Sequence, residues 1–154
     1  MGNGGRRRRS GVAAHGPGGA TRALFALLLC LVAAGGVSAQ APVSHPAVDT
    51  VMRQLEALRR SDYDTAYSFA SQTIHDLFDR AGFERMVSTG YPEIARSQSA
   101  VVKRAEDSPG GNVYLFVTVY GANGKSVDAI YEMVEEDGRW KINAVVTRPG
   151  PGTV

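Results

Sequence analysis

Near Ala100 the apolar residues change their period. Upstream they recur three and four residues apart, as on one face of a helix; downstream they alternate, as on one face of a strand. A chain that makes this switch once puts helices first and a run of paired strands second. That is the order of an α+β domain whose helices cover one face of an antiparallel sheet. At 154 residues, 44% hydrophobic and 21% charged, the chain suits one such domain with one core.

In the helical half, Val48, Val51, Met52, Leu55 and Leu58 share one helix face, with Arg53, Glu56, Arg59 and Arg60 opposite. Ser61 and Asp62 offer oxygens to cap a second helix carrying Tyr63, Ala66, Tyr67 and Ala70, and Ser61 with Asp64 loosely resembles a capping box. Ser71 or Thr73 caps a third, short helix through Ile74, Leu77 and Phe78, with Gly82 as its expected stop. Phe83, Met86 and Val87 form a further amphipathic stretch ended by Gly90, and Pro92 opens a last turn through Ile94.

The alternating half reads as four strands, about 100–106, 112–120, 126–135 and 139–147, punctuated by Gly and Asn. A two-residue Asp137-Gly138 turn would pair Glu136 with Arg139, and hence Met133 with Ile142, Tyr131 with Ala144 and Ala129 with Val146. Those pairs and Trp140 share one face, to be covered by the helices. The other face carries Asp128, Ile130, Glu132, Val134, Lys141, Asn143 and Val145, and the second strand sets Tyr114, Phe116, Thr118 and Tyr120 apart from its aliphatics. An outer face this apolar predicts self-association through the sheet, a homodimer detectable as mass in dilute solution.

Residues 1–39 have the layout of a secretory signal: Arg6 to Arg9, an apolar run Ala23 to Ala34, then Val37-Ser38-Ala39 before Gln40. Cleavage near Ala39 would leave a linker 40–46, a domain 47–148 and a flexible Pro/Gly tail 149–154, exported to a periplasm or the outside. The apolar run of about twelve residues is short of the roughly twenty that a membrane-spanning helix needs, so no stable membrane insertion is expected once the signal is cut. Retention as an anchor is the competing expectation. Arg8-Arg9 lacks the following pattern of a twin-arginine signal, and the compact leucine run argues against an organellar transit peptide. Cys30, the one cysteine, leaves with the signal, so no internal disulfide is expected; Leu29 before it disfavours lipid attachment. All 15 acids follow Arg22, so taking five arginines from the 17 basic residues leaves 12 and a net charge of about −3. The basic balance is the signal's, which removes the argument for a nucleic-acid partner.

The phrases VMRQLEALRRSDYDTAYSFASQTIHDLFD, FERMVSTGYPEI and AIYEMVEEDGRWKINAVV resemble a bacterial family known as domain of unknown function 4864, over roughly residues 47–147. Leu58 to Ala66 is more distantly similar to the entry of nuclear-transport-factor-two-like (cystatin-like) domains. The resemblance implies a cone of helices against a strongly bent sheet, an apolar pocket inside it, and frequent dimerisation through the sheet. It implies no activity.

Enzymes of that wider superfamily hold a carboxylate, tyrosines or a histidine in the pocket, where desolvation shifts proton affinity. Here His75 is a weak catalytic candidate, since it lies between Ile74 and Asp76 with Asp79 four residues on, the pattern of an exposed helix pair. Tyr63, Tyr67, Tyr91, Tyr131 and Trp140 are the candidates to line a pocket, rings buried and polar tips free; core packing explains them equally. Glu132 and Tyr131 point to opposite faces, and Asp128 and Glu132 share the outer one. There is no metal-ligand spacing, nucleophile elbow or phosphate loop, and no cofactor is expected. The leading expectation is a non-catalytic module binding a small apolar ligand or a protein in the cone. An isomerase, dehydratase or hydrolase using the same pocket is the alternative, and a structural dimerisation module of an envelope complex the third reading.

Overall fold

The computed structural model describes residues 42–152. The segment expected to be a signal, its expected cleavage point and Cys30 lie outside the described residues. Helix α1 (Pro46–Arg59) begins where His45 Nδ1 accepts the Ala47 amide at 3.1 Å and Pro46 takes the first turn. Of the expected stripe it buries Val51, Leu55 and Leu58, with Val48 and Met52 partly buried, and Ala47, Gln54 and Ala57 are buried beside them. Ser61, with φ of 56°, reverses the chain, and Asp62 rather than Ser61 caps α2 (Tyr63–Ser68), its Oδ1 accepting from Thr65 N at 3.0 Å. That hydrogen bond holds the Asp62 carboxyl below the usual range. Ser71 caps α3 (Gln72–Leu77) and Asp79 caps α4 (Arg80–Gly90), which α5 (Pro92–Ala95) follows. Gly82 does not stop α3. It sits in the first turn of α4 and donates its amide to Asp79, while extended backbone at Phe78 ends α3.

Strands β1 (Ser97–Asp107), β2 (Val113–Gly121), β3 (Ser126–Glu136) and β4 (Arg139–Pro149) form one antiparallel sheet in chain order. Asp137 and Gly138 both have positive φ, 51° and 71°, the mirror-image turn whose twist suits a hairpin. As expected, this sets Glu136 against Arg139 and Met133 against Ile142. Beyond that point the expected register fails, because Asn143 is an extra residue in β4: Tyr131 pairs with Val145, Ala129 with Thr147 and Ile130 with Val146. The bulge turns Val145 toward the helices and moves Ala144 and Val146 to the outer face. Turn counting assumes an unbroken ladder, whereas here β4 also pairs outward, Ile142 N donating to Phe69 O and Ser71 N to Ile142 O, both at 2.9 Å. These bonds blunt an otherwise open sheet edge.

The core lies between the helices and the inner face of the sheet. Val51, Leu55 and Leu58 of α1 belong to one buried cluster with Leu115, Val117, Val119, Ala129, Tyr131 and Met133. Each of the Val, Leu and Met side chains among them contributes about 1.5–3 kcal/mol by leaving water. At the other end of β4, Gly150 N donates to Ser126 O and Ser126 Oγ to Pro151 O. The segment expected to be free from residue 149 is therefore tied to β3 as far as Pro151.

Candidate functional site

A cavity of about 360 Å³ opens between α1, α3, α4, α5 and the inner side of β4. Its walls are apolar: Leu58, Ile74, Phe78, Phe83, Met86, Val87, Ile94, Ile142 and Val145, with Leu77 at 68% exposure among the lining residues. Three polar side chains line it, Gln54, Tyr91 and Asn143, and the lining includes no carboxylate, histidine, lysine or arginine.

Each polar side chain is held by the fold. Gln54 lies on the buried stripe of α1, and its Nε2 donates to Ala66 O at 3.2 Å, which leaves the amide oxygen as acceptor. Asn143 is carried inward by the β4 bulge. The Ser71 hydroxyl oxygen accepts the Ile74 amide while its proton goes to Asn143 Oδ1 at 2.9 Å, so the Asn143 amide nitrogen is the free donor. Among the described residues, Gln54 Oε1 and Asn143 Nδ2 make no hydrogen bond. The Tyr91 hydroxyl is engaged, donating to Val145 O at 3.2 Å.

Of the aromatic candidates, Tyr91 lines the cavity and the others are dispersed. Tyr67 stacks on His75 with centroids 4.0 Å apart and donates its hydroxyl to Phe78 O at 2.5 Å, a brace behind the wall. Tyr63 lies under the Arg80 guanidinium, 5.6 Å away, beside the ion pairs of Arg80 with Asp64 and Glu84. Trp140 meets the His45 ring edge-on at 5.2 Å, and its carbonyl accepts from Thr50. Tyr131 is fully buried in the core with no partner for its hydroxyl among the described residues, and burial pushes its pKa up.

His75 is not the exposed helix pair expected of it. It is half-buried, its Nε2 lies 3.1 Å from Tyr67 O, and Asp79 is engaged in capping α4. Among the described residues no group of His, Cys, Asp and Glu is arranged to hold a metal, and no helix is long and apolar enough to cross a membrane. Sequence reasoning missed Gln54 and Asn143. Gln54 was visible as the one polar residue in phase with Val51 and Leu58; Asn143 was hidden by the assumption of a regular ladder.

A cavity with one open acceptor, Gln54 Oε1, one open donor, Asn143 Nδ2, and no ionisable residue other than the occupied Tyr91 phenol can orient a ligand by hydrogen bonds. It offers no carboxylate or imidazole for proton transfer.

Among curated proteins none matches this chain. The chain is similar to a solved structure from Nostoc punctiforme, described as a protein of unknown function with a cystatin-like fold, at 13% identity and a TM-score of 0.49 over 73% of this chain and 97% of that one. The helices-then-sheet order and the match of the family model to residues 42–153 agree with the resemblance in the sequence, and the chain belongs to the family described as Domain of unknown function (DUF4864).

Proposed function

We propose that the domain is a binding module that holds a small, uncharged, mostly apolar molecule in the inner cavity, acting after export directed by its Arg-rich, leucine-rich start. The observation that carries this reading is the pair of unbonded amide atoms, Asn143 Nδ2 and Gln54 Oε1, in an otherwise apolar lining. One donor and one acceptor match a carbonyl, amide or hydroxyl head group. A carboxylate or ammonium would enter without a counter-charge, at a cost of many kcal/mol. The volume of about 360 Å³ is at the lower end of the roughly 300–1,000 Å³ of small-molecule sites.

Calorimetric titration with decanamide, a neutral amide with an apolar chain, tests the reading. Binding to the wild-type domain and its loss in Met86→Trp, which fills the cavity, are expected. No binding, or binding that Met86→Trp leaves intact, overturns it. Mass spectrometry of what copurifies with the exported protein then identifies the natural occupant.

A further inference from the structure

The opposite face of the sheet carries a second concavity of about 350 Å³. Its floor is set by register. Arg104, Phe116, Ile130 and Val146 are successive partners across all four strands, and Val101, Thr118, Asp128 and Arg148 form a second row. The first row is an apolar strip ended by a cation. In the second, Asp128 accepts from Thr118 Oγ1 at 2.8 Å and from Arg148 at 3.4 Å, and Thr118 is only 2% exposed although it lies on the outer face.

A bulge in β1 supplies the charge. Lys103 is the extra residue between Val102 and Arg104, and both Lys103 and Arg104 line the concavity. Arg104 lies 3.5 Å over the Phe116 ring and donates its Nε to Glu106, which leaves its terminal N–H groups uncommitted. Among the described residues Lys103 has no ion-pair or hydrogen-bond partner. The lining thus holds three cations, Lys103, Arg104 and Arg148, and the carboxylate of Asp128; Asp128 is bonded to Arg148 and Glu106 outside the lining to Arg104, which leaves Lys103 as the cation in excess. Pro151 completes the wall, held by Ser126; a Cβ at Gly150 would stand 2.6 Å from Ser126 Oγ, so only glycine lets the chain come this close.

We propose that this groove is a second ligand site, for a small organic anion with an apolar body. Its carboxylate or sulfonate meets Lys103 and Arg104, and its body lies along Phe116, Ile130 and Val146. Charge complementarity selects this occupant: Lys103, which has no partner among the described residues, and Arg104, whose terminal N–H groups remain free beside its Nε contact with Glu106, stand at one end of a strip that, at about 4.8 Å between strands, runs roughly 10 Å from β2 to β4.

The probe is decanoate, titrated calorimetrically at low salt against the same domain that is tested with decanamide. Decanoate should bind, weaken with added salt, and lose at least about tenfold in affinity in the Lys103→Gln/Arg104→Gln double variant. Val146→Glu, at a side chain 66% exposed and so harmless to the core, should abolish it. Decanamide binding is indifferent to both changes. Unchanged decanoate affinity in both variants overturns the proposal, as does decanoate binding that responds to Met86→Trp instead. So does a two-copy species that Val146→Glu disperses and that takes up no decanoate, because the face is then an interface between copies. Failure of decanamide alone removes the inner reading and leaves this one standing.

Discussion

The two faces of the sheet hold cavities of nearly equal size, about 360 and 350 Å³, yet their chemistry is opposite. The inner one has two neutral amides, each with one atom open, and no charge; the outer one has three cations beside an aromatic and aliphatic strip. A bulge does the selecting in each case. In β4 it carries Asn143 in among the helices, and in β1 it adds Lys103 to Arg104 on the outside. One inserted residue in an edge strand is enough to re-aim a side chain, because alternation restarts on its far side. The lesson is that β-strand polarity patterns are reliable between bulges and not across them.

The largest expected contrast between the faces is in stability. Tyr131→Ala empties a fully buried site and should cost about 3–5 kcal/mol in urea unfolding. Val146→Ala on the outer face should cost under about 0.5 kcal/mol. Comparable losses would break the distinction between a core face and a ligand face.

Asn143→Ala comes next. It strips the Ser71 hydroxyl of its acceptor and the cavity of its donor, so a loss of about 1 kcal/mol in stability is expected. Decanamide should bind several-fold more weakly and decanoate equally well, as read by calorimetry.

Tyr131→Phe sharpens the same face by pH. The unpartnered hydroxyl contributes little at neutral pH, so the variant should stay within about 1 kcal/mol of wild type. Burial raises the folded-state pKa above the ordinary value of 10.0. The folded protein then holds this proton where the unfolded chain releases it, and stability is full below that pH and falls above it. Alkaline melting curves should show a shallower fall for Tyr131→Phe than for wild type; parallel curves would mean that the phenol is hydrated.

The smallest effect is expected at the far wall. Gly150→Ala pushes the chain off Ser126, and decanoate should weaken a few-fold while decanamide and the melting temperature barely move. A large loss of stability would make the wall part of the core.

Much of the fold was legible in short stretches of chain. The α1 stripe follows from residues at most four apart, the Ser71 cap from a polar residue before an apolar run, and the last turn from Asp137-Gly138. Gly82 was misread because glycine at a helix end and glycine in a first turn look alike until the preceding cap, Asp79, is known to be used. His75 was misread as exposed because its neighbour in space, Tyr67, belongs to the helix before it. The candidate site was less legible. Of the aromatic residues whose pattern pointed to a pocket, Tyr91 lines it, while Tyr131 is core and Trp140 packs on His45.

By itself the sequence determined the layering, helices first and four antiparallel strands after, because period and turn chemistry are local properties of the backbone. It also determined which residues could form the core. Only the tertiary structure decided which polar groups look into which cavity. That choice depends on bulges, and the β4 bulge stands where Ile142 bonds to Phe69 and Ser71, more than seventy positions away in the chain. Spacing within one strand carries no trace of such a partner, so Asn143 and Lys103 acquire their roles when the sheet closes against the rest of the molecule.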